Sequence, residues 1–154
     1  MDVPMVAAME YADWLTKKHK GRWRFRLPTD LEWEKAARGA DRRIYVWGNY
    51  LVRNFAVTAS GTIGPGHPFP AMAAPLDESP YGVRDLIGSV REFTSGRPEP
   101  KLHYRSVRGA SWNVTDDFYY HIATRNGLLP WSVSRTSVGI RLVVDLPSLA
   151  QSTK

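Results

Sequence analysis

The sequence predicts an α+β domain of two helices, short antiparallel strands and much irregular loop. Three observations point there. Residues 4–19 and 29–38 carry apolar side chains at helical spacing between start and stop signals. Short alternating or β-branched runs at 22–26, 90–94, 105–109 and 138–145 read as strands. Between them, 40–80 has little periodicity and holds Gly61, Gly64, Pro65, Gly66, Pro68, Pro70, Pro75 and Pro80. So long an irregular stretch costs too much entropy unless packing, side-chain hydrogen bonds or a metal tie it down.

In the first helix Met5, Ala8, Met9, Ala12 and Leu15 form the apolar face, Lys17, Lys18 and His19 suit its negative end, and Gly21 closes it. Trp23 and Phe25 then alternate with Arg22, Arg24 and Arg26. Thr29-Asp30-Leu31-Glu32 is a capping box: the Thr29 hydroxyl accepts from the Glu32 amide, and the Glu32 carboxylate accepts from the Thr29 amide. The second helix runs to about Arg38, turns Trp33, Ala36 and Ala37 inward, and stops at Gly39.

The 154 residues fit one domain, taken as 1–146 with a loose tail at 147–154. Apolar residues make up 43% and aromatics 12%, with six Trp, enough for a core. No stretch approaches the roughly 20 apolar residues that span a bilayer, and the start lacks a signal-peptide pattern, so the expected location is cytoplasmic. With no cysteine, the chain has no disulfide, no thiolate metal site and no thiol nucleophile. The net charge is +6, but the basic residues are spread along the chain. The densest run, Lys17 to Arg26, reads as a solvated helix end and edge strand, and the partners expected are a protein or small-molecule ligand, with no membrane and no nucleic acid.

Five blocks stand in a telling order. They are Arg26-Leu27-Pro28-Thr29-Asp30-Leu31-Glu32-Trp33-Glu34-Lys35-Ala36-Ala37-Arg38-Gly39, Tyr45-Val46-Trp47-Gly48-Asn49, the run from Tyr81 to Ser95, Arg108-Gly109-Ala110-Ser111-Trp112-Asn113, and Gly139-Ile140-Arg141-Leu142-Val143. Together they resemble the formylglycine-generating-enzyme (sulfatase-modifying factor) superfamily over about 4–145. The resemblance implies a C-type-lectin-like fold. Family domains usually carry an earlier segment with the opening strand, and this sequence starts after it, so the expectation is that a partner, self-association or another strand covers that edge or that the domain is a shortened one.

The resemblance also implies a calcium site at the side chain of Asp85, the carbonyls of Gly88 and Val90, and the acid of Glu92, an oxygen set suited to a hard cation. The other reading is that Asp85 and Glu92 cap turns and pair with arginines, Arg84 or Arg91. Arg141 is expected to pair with an acid such as Glu92 or to bond loop carbonyls. A second family calcium site, starting at Asn54 and Phe55, finds no later acid near 62–69. The family's oxidase chemistry needs two copper-binding thiols within about 113–120, where this chain reads Asn-Val-Thr-Asp-Asp-Phe-Tyr-Tyr. Copper chemistry of that kind is therefore excluded. His19, His67, His103 and His121 share no metal-ligand spacing, and there is no phosphate loop or nucleophile elbow.

Recognition is the remaining reading. Residues 113–138 contain no Lys, Glu, Gln or Met. This is similar to the variable segment of proteins diversified by retroelements, in which adenine-directed mutation of asparagine codons yields a residue set lacking those four. Phe118, Tyr119, Tyr120 and Trp131 are the expected anchors, and Asp116, Asp117, His121 and Asn126 the expected polar contacts. Strand-like alternation would bury one of each adjacent aromatic pair. The alternatives are a sensor or docking module of a bacterial signalling protein and an oxidase-type enzyme with an unrecognised site.

Overall fold

The computed structural model describes residues 3–61, 67–96, 104–125, 128–130 and 135–146. Helix α1 spans Met5–Lys18 and buries Met5, Ala8 and Ala12. Met9 is exposed and Leu15 half-buried, so the inward stripe is narrower than the expected five residues. Helix α2 spans Asp30–Arg38 and opens on the anticipated capping box: Thr29 Oγ1 accepts from Glu32 N at 3.2 Å, and Glu32 Oε2 accepts from Thr29 N at 2.8 Å. Trp33 and Ala37 are its buried residues, with Ala36 only partly covered.

Strand β1 (Arg24–Arg26) pairs antiparallel with the last strand, β6 (Val143–Asp145), in the register Phe25↔Val144. The bond is reinforced by Arg26, which reaches both Glu32 and Asp145 at 2.7 Å. The other sheet orders its strands β4 (Leu128–Pro130), β3 (Tyr104–Arg108), β2 (Arg91–Phe93) and β5 (Val138–Gly139). One pairing departs from the antiparallel expectation. β2 and β5 run parallel, with Glu92 opposite Gly139, because the chain returns to the sheet after a long excursion rather than by a tight hairpin.

Two apolar clusters fill the interior. Met5, Ala8, Leu27, Phe93, Val107 and Val138 join α1 to the four-stranded sheet. Trp33, Ala37, Tyr45, Val46, Ala56, Leu86, Ile87, Ala110, Tyr120 and Ile122 lie between α2 and the irregular segments. This second cluster answers the entropy problem of the 40–80 region, since its loops lend Tyr45, Val46 and Ala56 to a shared core. Each fully buried Val, Leu, Ile, Phe or Met side chain contributes about 1.5–3 kcal/mol relative to exposure.

Candidate functional site

The segment after β3 is held from beneath. Gly109 has φ +78° and lies so close to Leu86 that a Cβ would fall 2.5 Å from the Leu86 carbonyl oxygen. Only glycine accommodates both conditions without strain. From there Trp112 N donates to Ser89 O at 2.9 Å, Ala59 N to Val114 O at 3.1 Å and Ser60 Oγ to Thr115 O at 2.8 Å. Asp116 Oδ1 accepts from Phe118 N at 2.9 Å and starts a 3-10 turn, Asp117–Tyr120. Thr124 Oγ1 then donates to Phe118 O at 2.8 Å, Ile122 N to Ile44 O at 3.0 Å, and Arg108 Nη2 to Ile122 O at 3.0 Å. Seven bonds thus fix a stretch that lacks regular structure apart from one turn.

Its outer side carries Asn113, Thr115, Asp116, Phe118, Ala123 and Arg125, all exposed. Phe118 is 57% accessible and meets Tyr119 edge-on at 5.8 Å. Tyr119 is half-buried against the core, and His121 is half-buried with Nε2 3.2 Å from the Tyr45 hydroxyl. Tyr120 corrects the sequence expectation. It is 0% accessible, its ring lies in the second cluster and its hydroxyl bonds the Thr58 hydroxyl, so it supports the loop and cannot touch a ligand. The 3-10 turn causes this by rotating successive side chains through about 120°. Asp117 is also less free than expected, since Arg53 Nε donates to its Oδ1 at 2.9 Å. Asn126 and Trp131 lie outside the described residues.

The sequence reading missed the other half of this surface. Trp47 stacks on Tyr45 with centroids 5.8 Å apart and planes 5° apart, and Phe55 meets Trp47 edge-on at 5.6 Å. Trp47 Nε1 donates to Tyr50 O at 2.9 Å, and Tyr50 is 84% accessible. Tyr45 and Trp47 stand in a block that reads as framework, and the contacts that draw 44–55 to 117–121 span about 65 to 75 residues. No local pattern marks them.

The positions assigned to calcium have other partners. Glu92 is 5% accessible; its Oε1 accepts from Arg141 Nη2 at 2.7 Å, and its Oε2 from Arg141 Nε at 2.9 Å and Trp33 Nε1 at 2.7 Å. Arg141 Nη2 also donates to Arg84 O at 2.8 Å and Asp85 O at 3.2 Å. Asp85 accepts from Met72 N through its other end. Gly88, at φ +97°, is packed on the Val57 backbone. A guanidinium therefore sits among the oxygens of this region, and its charge opposes a divalent ion there. These residues, so arranged, do not fit calcium. Among the described residues, no group of three or more His, Asp or Glu side chains is placed to hold a metal ion.

Asp77 lies behind this region. It is fully buried, accepts from Ile87 N through Oδ2 at 2.7 Å, and its carbonyl accepts from Asp85 N at 3.0 Å. Its Oδ1 has no hydrogen-bond partner. Burial raises its pKa well above the ordinary carboxylate value, opposed by the Ile87 amide and aided by the charge of Asp85. The folded-state value thus exceeds the unfolded one, so this stabilising contribution is complete below about pH 4 and is lost as pH rises through the folded value. Asp77→Asn keeps the acceptor for Ile87 N. The variant is expected to be at least as stable as the wild type at neutral pH and to lose this part of the pH slope in denaturation measured from acid to neutral.

The comparisons agree with this framework. The chain matches the sulfatase-modifying factor enzyme 1-like domain over residues 1–146 and belongs to that family. It is 36% identical over 126 residues to the inactive C-alpha-formylglycine-generating enzyme 2 of Mus musculus, covering 73% of this chain and 41% of that protein. It is 34% identical over 115 residues to the hercynine oxygenase of Mycolicibacterium smegmatis, covering 58% and 26%. The chain thus spans less than half the length of these curated relatives. Among solved structures, Treponema denticola variable protein 1 shares the fold at a TM-score of 0.73 and 21% identity, over 94% of this chain and 70% of that one. PvdO from Pseudomonas aeruginosa does so at 0.77 and 22%, over 94% and 60%.

Proposed function

We propose that this cysteine-free member of the family is a non-catalytic ligand-binding domain that presents the surface of 113–125 and 44–55 to a macromolecular partner. The observation that carries the reading is the division of labour along 113–125. Tyr120, Ile122 and Thr124 point inward and hold the loop, while Asn113, Thr115, Asp116, Phe118, Ala123 and Arg125 point out. Side chains on the outer set can change without disturbing the seven bonds beneath, except that Asp116 also caps its turn and Asn113 Oδ1 accepts from the buried Ser111 hydroxyl at 2.8 Å. Exposed Phe118 and Tyr50 supply large rigid contact area at small entropic cost, and the Arg53–Asp117 pair beside them supplies polar specificity.

The absence of cysteine removes the thiols that copper-dependent oxidation in this family requires, and the likeness to an inactive relative supports the same reading. The restricted composition of 113–138, with the fold shared with a variable protein, supports diversification by a retroelement as the source of the outer set. A neighbouring reverse-transcriptase gene and a near-copy of the 3′ end of the coding sequence are the expected genomic companions.

The direct experiment displays a library varied at Thr115, Phe118, Ala123 and Arg125 on yeast and selects it on lysozyme as a model target. The expected outcome is that most members fold and that selected binders carry altered outer residues only. A library that is mostly unfolded contradicts the reading, and so does aldehyde formation when the copper-treated protein meets a peptide of the Cys-x-Pro-x-Arg type.

A further inference from the structure

Among the described residues, ion pairing takes up seven arginines spread over the fold and leaves one dense run of cations outside any ion pair. Arg26, Arg38, Arg43, Arg53, Arg84, Arg108 and Arg141 each pair with a carboxylate. Lys17, Lys18, Lys20, Arg22 and Arg24 are all exposed, and no ion pair among the described residues includes any of them. No acidic residue stands between Trp14 and Thr29; the nearest carboxylates are exposed Glu10 and Asp13 on α1 and Asp145, opposite Arg24 across the β1–β6 ladder. The five occupy the last turn of α1, the reversal after it and the start of β1. Lys20 and Gly21, at φ +53° and +71°, make that reversal, with Gly21 N donating to Thr16 O at 3.0 Å and Arg22 N to His19 O at 3.0 Å.

Aromatic rings stand among these cations. Lys18 Nζ lies 4.7 Å from the centroid of Trp14, which is 50% accessible, and Tyr11 stacks on the same indole at 5.7 Å. The Arg22 guanidinium lies 5.3 Å from the ring of Trp23, whose other neighbour is His19 at 5.1 Å. Each indole already carries a cation and a second ring, so neither offers the clear face on which a nucleobase stacks. Half-exposed Trp and Tyr beside Lys and Arg are instead the composition of a bilayer interface. Aromatic rings settle there at headgroup depth, and each nearby cation adds attraction to anionic lipid.

We propose that the α1–β1 corner, through Lys17, Lys18, Lys20, Arg22 and Arg24 with Trp14 and Tyr11, docks the protein on an anionic bilayer surface. This reverses the expectation of no membrane partner, which counted basic residues without knowing which were paired. The surface shares no residue with the proposed ligand face, so the two stand or fall separately.

Co-sedimentation of the full chain with phosphatidylcholine vesicles, with and without a third of phosphatidylserine, tests it. Partition is expected onto the anionic vesicles alone, with a blue shift of tryptophan emission and weakening as salt rises. The triple variant K17Q/K18Q/K20Q is expected to bind roughly a hundredfold more weakly, about fivefold for each cation removed. Its thermal unfolding should fall by only a few degrees, because the three are in no ion pair and the loss is limited to the helix-end charge and the Lys18–Trp14 contact. Equal binding to neutral vesicles, binding to neither, or preference for a single-stranded oligonucleotide at equal phosphate concentration overturns the proposal.

Discussion

Glu92→Ala is expected to lower the unfolding free energy by about 2–4 kcal/mol, because it takes a buried carboxylate from a partly exposed guanidinium and from a core indole. Arg141 then loses its carboxylate, and the Trp33 indole N–H loses its acceptor in the core. For a domain of this size that is a large share of total stability. Glu92→Gln is milder because its carbonyl still accepts from Trp33. Arg141→Lys is not conservative here, since a single ammonium cannot span both Glu92 oxygens and the carbonyls of Arg84 and Asp85. Chemical denaturation of the three variants gives the order. The same measurement addresses the metal: with a guanidinium among those oxygens, adding calcium or a chelator is expected to leave the melting temperature of the wild type unchanged.

Arg108→Ala has an effect of similar size by a different route. Arg108 is wholly buried, donates to Glu34 at 2.9 Å and to Ile122 O at 3.0 Å, and lies 5.1 Å from the ring centroid of Trp33. Its Nε and Nη1 have no hydrogen-bond partner, and the ring of Trp33 provides a π-cation contact in part compensation. Truncation opens a cavity beneath the loop and frees the Ile122 carbonyl. The expected loss is about 3–5 kcal/mol by denaturation, with faster amide exchange across 117–124. Loss of stability without faster exchange there would mean that Arg108 does not anchor the display loop.

What the sequence disclosed follows the range of the interactions. The capping box at Thr29 and Glu32 was legible because all its donors and acceptors lie within four residues. The Arg141–Glu92 pair was one of two options, and the structure realises both, since the same guanidinium also bonds loop carbonyls. Tyr120 is misread in sequence as an anchor, because adjacent aromatics in a 3-10 turn and in a strand look alike there while pointing differently. The Arg53–Asp117 pair and the Tyr45–His121 contact join residues 64 and 76 positions apart, beyond any periodic pattern. The parallel β2–β5 pairing was hidden for the same reason, since it depends on where a long loop brings the chain back.

The separation of a supporting side from a displayed side can be tested in one protein. Thermal unfolding of the variant with Thr115, Phe118, Ala123 and Arg125 all changed to serine should stay within a few degrees of the wild type, as expected for exposed positions away from caps and buried pairs. A collapse of the transition, or a fall comparable to that of Arg108→Ala, would show that these side chains hold the fold together and are not a surface offered to a partner.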